Sequence, residues 1–120
     1  MWFELLLGHL VGDYILQNDA MAKSKSLKGW RGHFWCFLHC IIYAYTVSFF
    51  LWFGGFKNGP LAMTIAFLTH YPIDRYSLGK RWMDFYGQTT EGPFAPIIYV
   101  GVDNGAHLVL MWIAFRLLGA

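Results

Sequence analysis

Three pairs of residues in this chain have the types and the spacing to bind a metal ion. His9 and Asp13, His70 and Asp74, and Asp103 and His107 each combine an imidazole with a carboxylate four positions apart, and His39 stands alone between the first and second pairs. On a helix, residues four apart project from one face, one above the other. All seven sit inside runs of apolar residues, where an ionisable side chain costs roughly 2.5–3.5 kcal/mol if the run crosses a bilayer. Residues retained at such a cost need partners. No Lys or Arg is expected deep among them, so one or two divalent ions are expected to supply the missing positive charge. Histidine with carboxylate suits zinc, manganese or iron better than calcium or magnesium, and zinc is the leading expectation. Asp13, Asp74 and Asp103 are the candidate catalytic carboxylates, one of them as general base. His9, Asp13, His39, His70, Asp74, Asp103 and His107 are the candidate ligands. The competing reading is a ring of interhelical hydrogen bonds that only fastens the helices together.

The elements that must position these residues follow from composition. Of 120 residues, 57% are hydrophobic, 20% aromatic and only 13% charged, against roughly 25% charged in a soluble domain. A water-soluble fold this small could not hide so much apolar surface. Four apolar segments, at 2–17, 33–53, 61–76 and 94–118, approach the roughly 20 residues needed to cross about 30 Å of hydrocarbon. None alternates polar with apolar residues as a barrel strand must. The expected fold is therefore all-α: an integral membrane four-helix bundle with short loops, forming a single domain over residues 1–120. The helices run alternately up and down, yet the seven polar residues all fall roughly 3–20 Å from the same side, at 1.5 Å per residue.

Loops 18–32 and 75–93 hold seven of the nine Lys and Arg residues, which predicts a multi-pass protein of the inner membrane with both loops cytoplasmic and both termini outside. The third loop mixes Trp82, Phe85 and Tyr86 with charges, as an amphipathic piece lying in the interface would. The first apolar stretch lacks a basic leader and a cleavage site, and it is expected to stay in place. A net charge of +2 gives no signal for nucleic acid.

Other residues are read as supporting. Gly8 and Gly12 allow close helix approach. Pro72 frees a carbonyl between His70 and Asp74. Gln17, one turn beyond Asp13, is placed to support it. Arg75 points about 100° away from Asp74 and should reach the interface, and Lys23, Lys25 and Lys28 are read as topology anchors. His33 falls at the interface. Cys36 and Cys40, four apart, suit reduced packing residues better than a disulfide or a metal site with His39.

The opening string from His9 to Gln17, His-Leu-Val-Gly-Asp-Tyr-Ile-Leu-Gln, followed by Asp19, Met21-Ala22 and Lys25, resembles an uncharacterised family of small bacterial and phage membrane proteins, a domain of unknown function. His39, His70 with Asp74, and Asp103-Asn104 with His107 look like later positions of that family. More distantly, the His-x-x-x-Asp spacing is similar to that of membrane-bound metal-dependent hydrolases and, through them, zinc-dependent phospholipases C. This chain has no clear counterpart to the phospholipases' N-terminal metal ligand.

The function expected from these readings is a metal-dependent hydrolase, embedded in the membrane, that acts on a phosphoester near the cytoplasmic leaflet. Membrane lipid and an anionic, phosphate-bearing substrate are its expected partners, and the basic first loop would recruit the head group. Self-association is common for a unit of this size, though no motif here encodes it. A metal or proton transporter and a non-catalytic phage lysis or exclusion protein are the alternatives. A transporter needs polar residues on both sides of the cluster, and the segment Ser48-Phe49-Phe50-Leu51-Trp52-Phe53 offers few.

Overall fold

A computed structural model describes residues 1–88 and 90–119. The chain is all-helical, with no strand among the described residues. Helix α1 (Trp2–Leu10) runs into a π-helical turn (Val11–Ile15), and α2 (Asp19–Ser24), α3 (Trp30–Phe53) and α4 (Gly59–Arg75) follow. Then come α5 (Leu78–Tyr86), α6 (Ala95–Ala114) and a closing π-helical turn (Phe115–Gly119). Two stretches, Trp30–Phe53 and Ala95–Leu118, are long and apolar enough to cross a membrane. The α4 helix has 17 residues, or about 26 Å at 1.5 Å per residue.

Helix boundaries follow local chemistry. Asn18 caps α2 by accepting from the Met21 amide at 2.9 Å, and Asn58 caps α4 by accepting from the Leu61 amide at 3.2 Å. Pro60 and Pro96 sit in first turns, where a missing amide hydrogen costs nothing. The α4 helix continues through Pro72 to Arg75. At the end of α1 the Leu16 amide reaches the Val11 carbonyl at 2.9 Å, the wider closure of a π turn, and Asp13 lies in that turn. The first loop departs from the expected polar connector: α2 forms within it, and α3 begins at Trp30, three residues before the apolar run.

Helix α3 is central, with α1 and its π turn on one side and α4 on the other; α6 closes against α4 and α1. The apolar core comprises Leu5, Tyr43, Val47, Leu51, Ile65 and Phe115, among others. Most of it lies towards the Gly54–Asn58 turn, leaving the other end of the helices to the polar cluster. Close approach of α1 to α3 depends on its glycines. A Cβ on Gly8 would lie 2.8 Å from Val47 Cα, and one on Gly12 would lie 2.8 Å from Tyr43 Cδ2.

The third loop folds into α5, whose Gly79 and Met83 are buried while Trp82, Phe85 and Tyr86 are exposed. The chain enters α5 through Ser77 in the left-handed region (φ 50°) and leaves it through Gly87 (φ 79°). The first loop folds back onto α3, bringing the Leu27 carbonyl against Gly32. A Cβ there would meet that oxygen at 1.7 Å, with backbone on both sides. Gly32→Ala is therefore expected to destabilise the protein by about 3 kcal/mol, read as a lower thermal midpoint in detergent. An unchanged midpoint would mean that the loop is not docked in this way.

Candidate metal centre

The four main helical segments bring all seven sequence-derived residues into one buried cluster. At its centre are His39 from α3, His70 and Asp74 from α4, and Asp13 from the π turn. His39 Nε2 lies 3.0 Å from Asp13 Oδ1, 3.2 Å from Asp74 Oδ2 and 3.0 Å from His70 Nε2. His70 Nε2 lies 3.0 Å from Asp74 Oδ2 and 3.3 Å from Asp13 Oδ1. Five of the six separations among these four atoms thus fall between 3.0 and 3.3 Å. A tetrahedral zinc ion with ligands at roughly 2.0–2.2 Å has ligand–ligand edges of about 3.3–3.6 Å. Outward shifts of a few tenths of an ångström would bring these five separations to such edges.

Proton positions give an independent reason to place a cation here. Only one hydrogen can lie on the line between His39 Nε2 and His70 Nε2. The opposite nitrogens, His39 Nδ1 and His70 Nδ1, are buried with no hydrogen-bond partner among the described residues. His107 donates through Nδ1 to the Asp103 carbonyl at 2.8 Å, which leaves its Nε2 with a bare lone pair. That nitrogen lies 3.2 Å from Asp74 Oδ1, without hydrogen-bond geometry to any described residue. A lone pair facing a carboxylate oxygen is repulsive until a proton or metal ion lies between them.

Asp13, Asp103 and His107 form a second group whose ligand atoms lie within 4.8 Å of one another, so Asp13 is common to both groups. The His107 ring sits 4.2 Å from that of His70 and 5.5 Å from that of His9. His9 differs from the other histidines because both its nitrogens are engaged. Nε2 donates to Asn104 Oδ1 at 2.6 Å, and Nδ1 accepts from the Tyr43 hydroxyl at 2.9 Å. It supports the cluster and has no free lone pair to offer a metal. Tyr43 also stacks on His70, with ring centroids 3.7 Å apart.

The sequence leaves out Tyr43 and notes Asn104 only within a family string. Tyr43 could have been found from periodicity, because it is one turn beyond His39, whereas Asn104 adjoins Asp103 and periodicity gives no signal for it.

Two expectations are overturned. Lys25 is not a surface anchor: its Nζ donates to Asp74 Oδ2 at 2.7 Å and to Gln17 Oε1 at 2.8 Å, so a lysine does reach the carboxylates. The cause is α2, which turns the first loop back so that the long lysine stem can run down to Asp74. Burial disfavours the Lys25 ammonium, but Asp74 beside it outweighs this and holds its pKa above the ordinary lysine value. Gln17 closes the link by donating to the Asp13 carbonyl at 3.1 Å.

Arg75 points away from the cluster, but it is buried rather than extended to the interface. It donates to the Gly29 carbonyl at 3.4 Å. His33 accepts from the Tyr71 hydroxyl at 2.6 Å, outside the cluster. Cys36 and Cys40 are free and buried, with sulfurs 3.8 Å apart. The candidate metal groups among the described residues contain only His and Asp.

A family model described as "Protein of unknown function (DUF3307)" matches residues 1–119. No curated protein and no solved structure matches the chain.

Proposed function

We propose a function from the site itself, because this chain belongs to the DUF3307 family and that family's description carries no activity. The protein is a metal-dependent hydrolase of phosphoesters, built as a four-helix bundle in the inner membrane with loops 18–32 and 75–93 on the cytoplasmic side. The membrane placement draws support from the outer surface, where Phe3, Ile15, Trp30, Phe53, Ile97 and Leu117 are each at least 66% exposed. Large apolar side chains exposed on this scale suit a surface that faces lipid. It draws further support from the division of Lys and Arg between the loops.

The observation that carries the reading is the convergence of His39 Nε2, His70 Nε2, Asp13 Oδ1 and Asp74 Oδ2, with five of their six separations at 3.0–3.3 Å and all within 4.8 Å. These four would hold one ion, zinc by ligand type, and Asp103 with His107 would hold a second that shares Asp13. A divalent ion at such a site lowers the pKa of bound water and polarises an ester oxygen. Around it, each residue of the chain has work of its own. Lys25 would hold a non-bridging phosphate oxygen beside Asp74 by a charge-assisted hydrogen bond. Asp103, the least buried of the three carboxylates, is best placed to take a proton from water. His9 would brace the cluster through Tyr43, which it hydrogen-bonds and which stacks on His70. Hydroxyls on the far half, such as Thr46 and Thr64, bond to their own helix carbonyls at 2.8 Å. They offer no polar path onward, which disfavours a transporter.

Protein purified in detergent and equilibrated with zinc should carry at least about one ion per chain by mass spectrometry, and should cleave a model phosphodiester or phospholipid. Metal flux into liposomes with no hydrolysis would replace the hydrolase with a transporter. Absence of both bound metal and activity would reduce the cluster to a structural role.

A further inference from the structure

A second cavity lies outside the His/Asp cluster, where the first loop meets the α4–α5 corner. Its volume is about 520 Å³, and Lys28, Arg75, Lys80 and Arg81 line it with Asp84 as the single carboxylate. Four cations against one carboxylate leave it strongly positive. Two further observations separate it from an ordinary solvated basic surface. Arg75 is 8% exposed, and its buried Nε has no hydrogen-bond partner among the described residues. The N-terminus of α5 also opens here, with Ser77 on the cavity wall and no side chain capping the helix. The first amides of a helix have no intrahelical acceptor, and they favour anions.

We propose that this cavity binds a phosphate group, either carried by an interfacial lipid head group or free in solution. Arg75 supplies a guanidinium on the cavity wall, the first turn of α5 supplies backbone amides, and Lys28, Lys80 and Arg81 close around the outer oxygens. Planar guanidinium forks suit tetrahedral oxyanions. The volume falls in the range of small-molecule sites, roughly 300–1,000 Å³. Trp82 and Phe85, exposed on α5, are the kind of side chain that settles at head-group depth. None of the cavity's residues belongs to the His/Asp cluster, so the site stands whether or not that cluster holds metal.

Calorimetric titration of the detergent-solubilised full chain tests this, with dihexanoyl phosphatidic acid and inorganic phosphate as separate probes. Saturable binding is expected, weakened at least about tenfold when Lys80→Gln is combined with Arg81→Gln, two exposed positions whose loss removes charge-assisted contacts. Thermal unfolding should show that the double variant is folded. Binding of both probes identifies phosphate itself as the recognised group, and binding of the lipid alone identifies a head-group site. Asp13→Asn should retain binding even where it loses metal, which keeps this result separate from the hydrolase reading. The proposal is overturned if neither probe saturates, or if Lys57→Gln, far from the cavity, weakens binding as much as the double variant.

Discussion

Asp74→Ala is expected to remove bound zinc almost completely, and Asp13→Ala to do the same, whereas His9→Ala should only weaken it. Asp74 supplies one oxygen to His39, His70 and Lys25 and the other to His107. Its loss therefore opens both halves of the cluster at once. Asp13 belongs to both candidate groups. His9 contacts no free ligand position and acts by orienting its neighbours, a role whose loss typically costs roughly 10–100-fold in metal affinity. The two aspartate variants should fall well beyond that range. Zinc retained by the folded protein after chromatography, measured by mass spectrometry, reports the order directly. Equal retention in all three variants would sink the metal reading. So would alanine variants more stable than the parent protein, since the carboxylates would then be a burden with no ligand to justify them.

Lys25→Met should change stability as much as Gly32→Ala does. It is expected to cost about 3 kcal/mol in metal-free protein, because breaking a buried ion pair leaves the partner charge uncompensated. Asp74 is almost wholly buried and Lys25 only partly exposed, so water can make up little of the loss. Saturating zinc should restore most of the stability, since a divalent ion at the same Asp74 oxygen supplies the missing countercharge. Thermal unfolding with and without zinc measures both arms. A variant that zinc does not rescue would show that Lys25 alone neutralises the cluster.

The seven clustered residues were legible because their signal is local. Side chains four apart share a helical face, and apolar runs mark where helices lie, so position and depth could be combined without knowing any contact. The all-helical class and the helical third loop were legible for the same reason: α5 shows its amphipathic pattern in nine residues. What the sequence hid depends on chain reversal. Lys25 lies 49 positions from Asp74, and only the capped turn of α2 brings it there. Periodicity within the loop gives no hint of that, and a lysine beside a membrane segment reads first as an anchor. The π turn around Asp13 was equally hidden, because it follows from how α1 meets α3 rather than from the composition of five residues. His9 could be identified as a cluster member but not distinguished from a ligand, since that depends on Tyr43 and Asn104 occupying both its nitrogens.

The contact between Lys25 and Asp74 also sets an electroneutrality condition on the interior. With Asp13, Asp74 and Asp103 ionised and the histidines neutral, the cluster carries three negative charges and Lys25 returns one positive. A single divalent ion brings the sum to zero, and a cluster in that state has no electrostatic reason to admit an anion. A second ion leaves an excess of two positive charges in surroundings of low polarity, where unbalanced charge is costly. Only a dianion, or two hydroxides, would cancel it. The number of ions held and the charge of the molecule admitted are thus a single variable, and Lys25 shifts the point of balance by one unit.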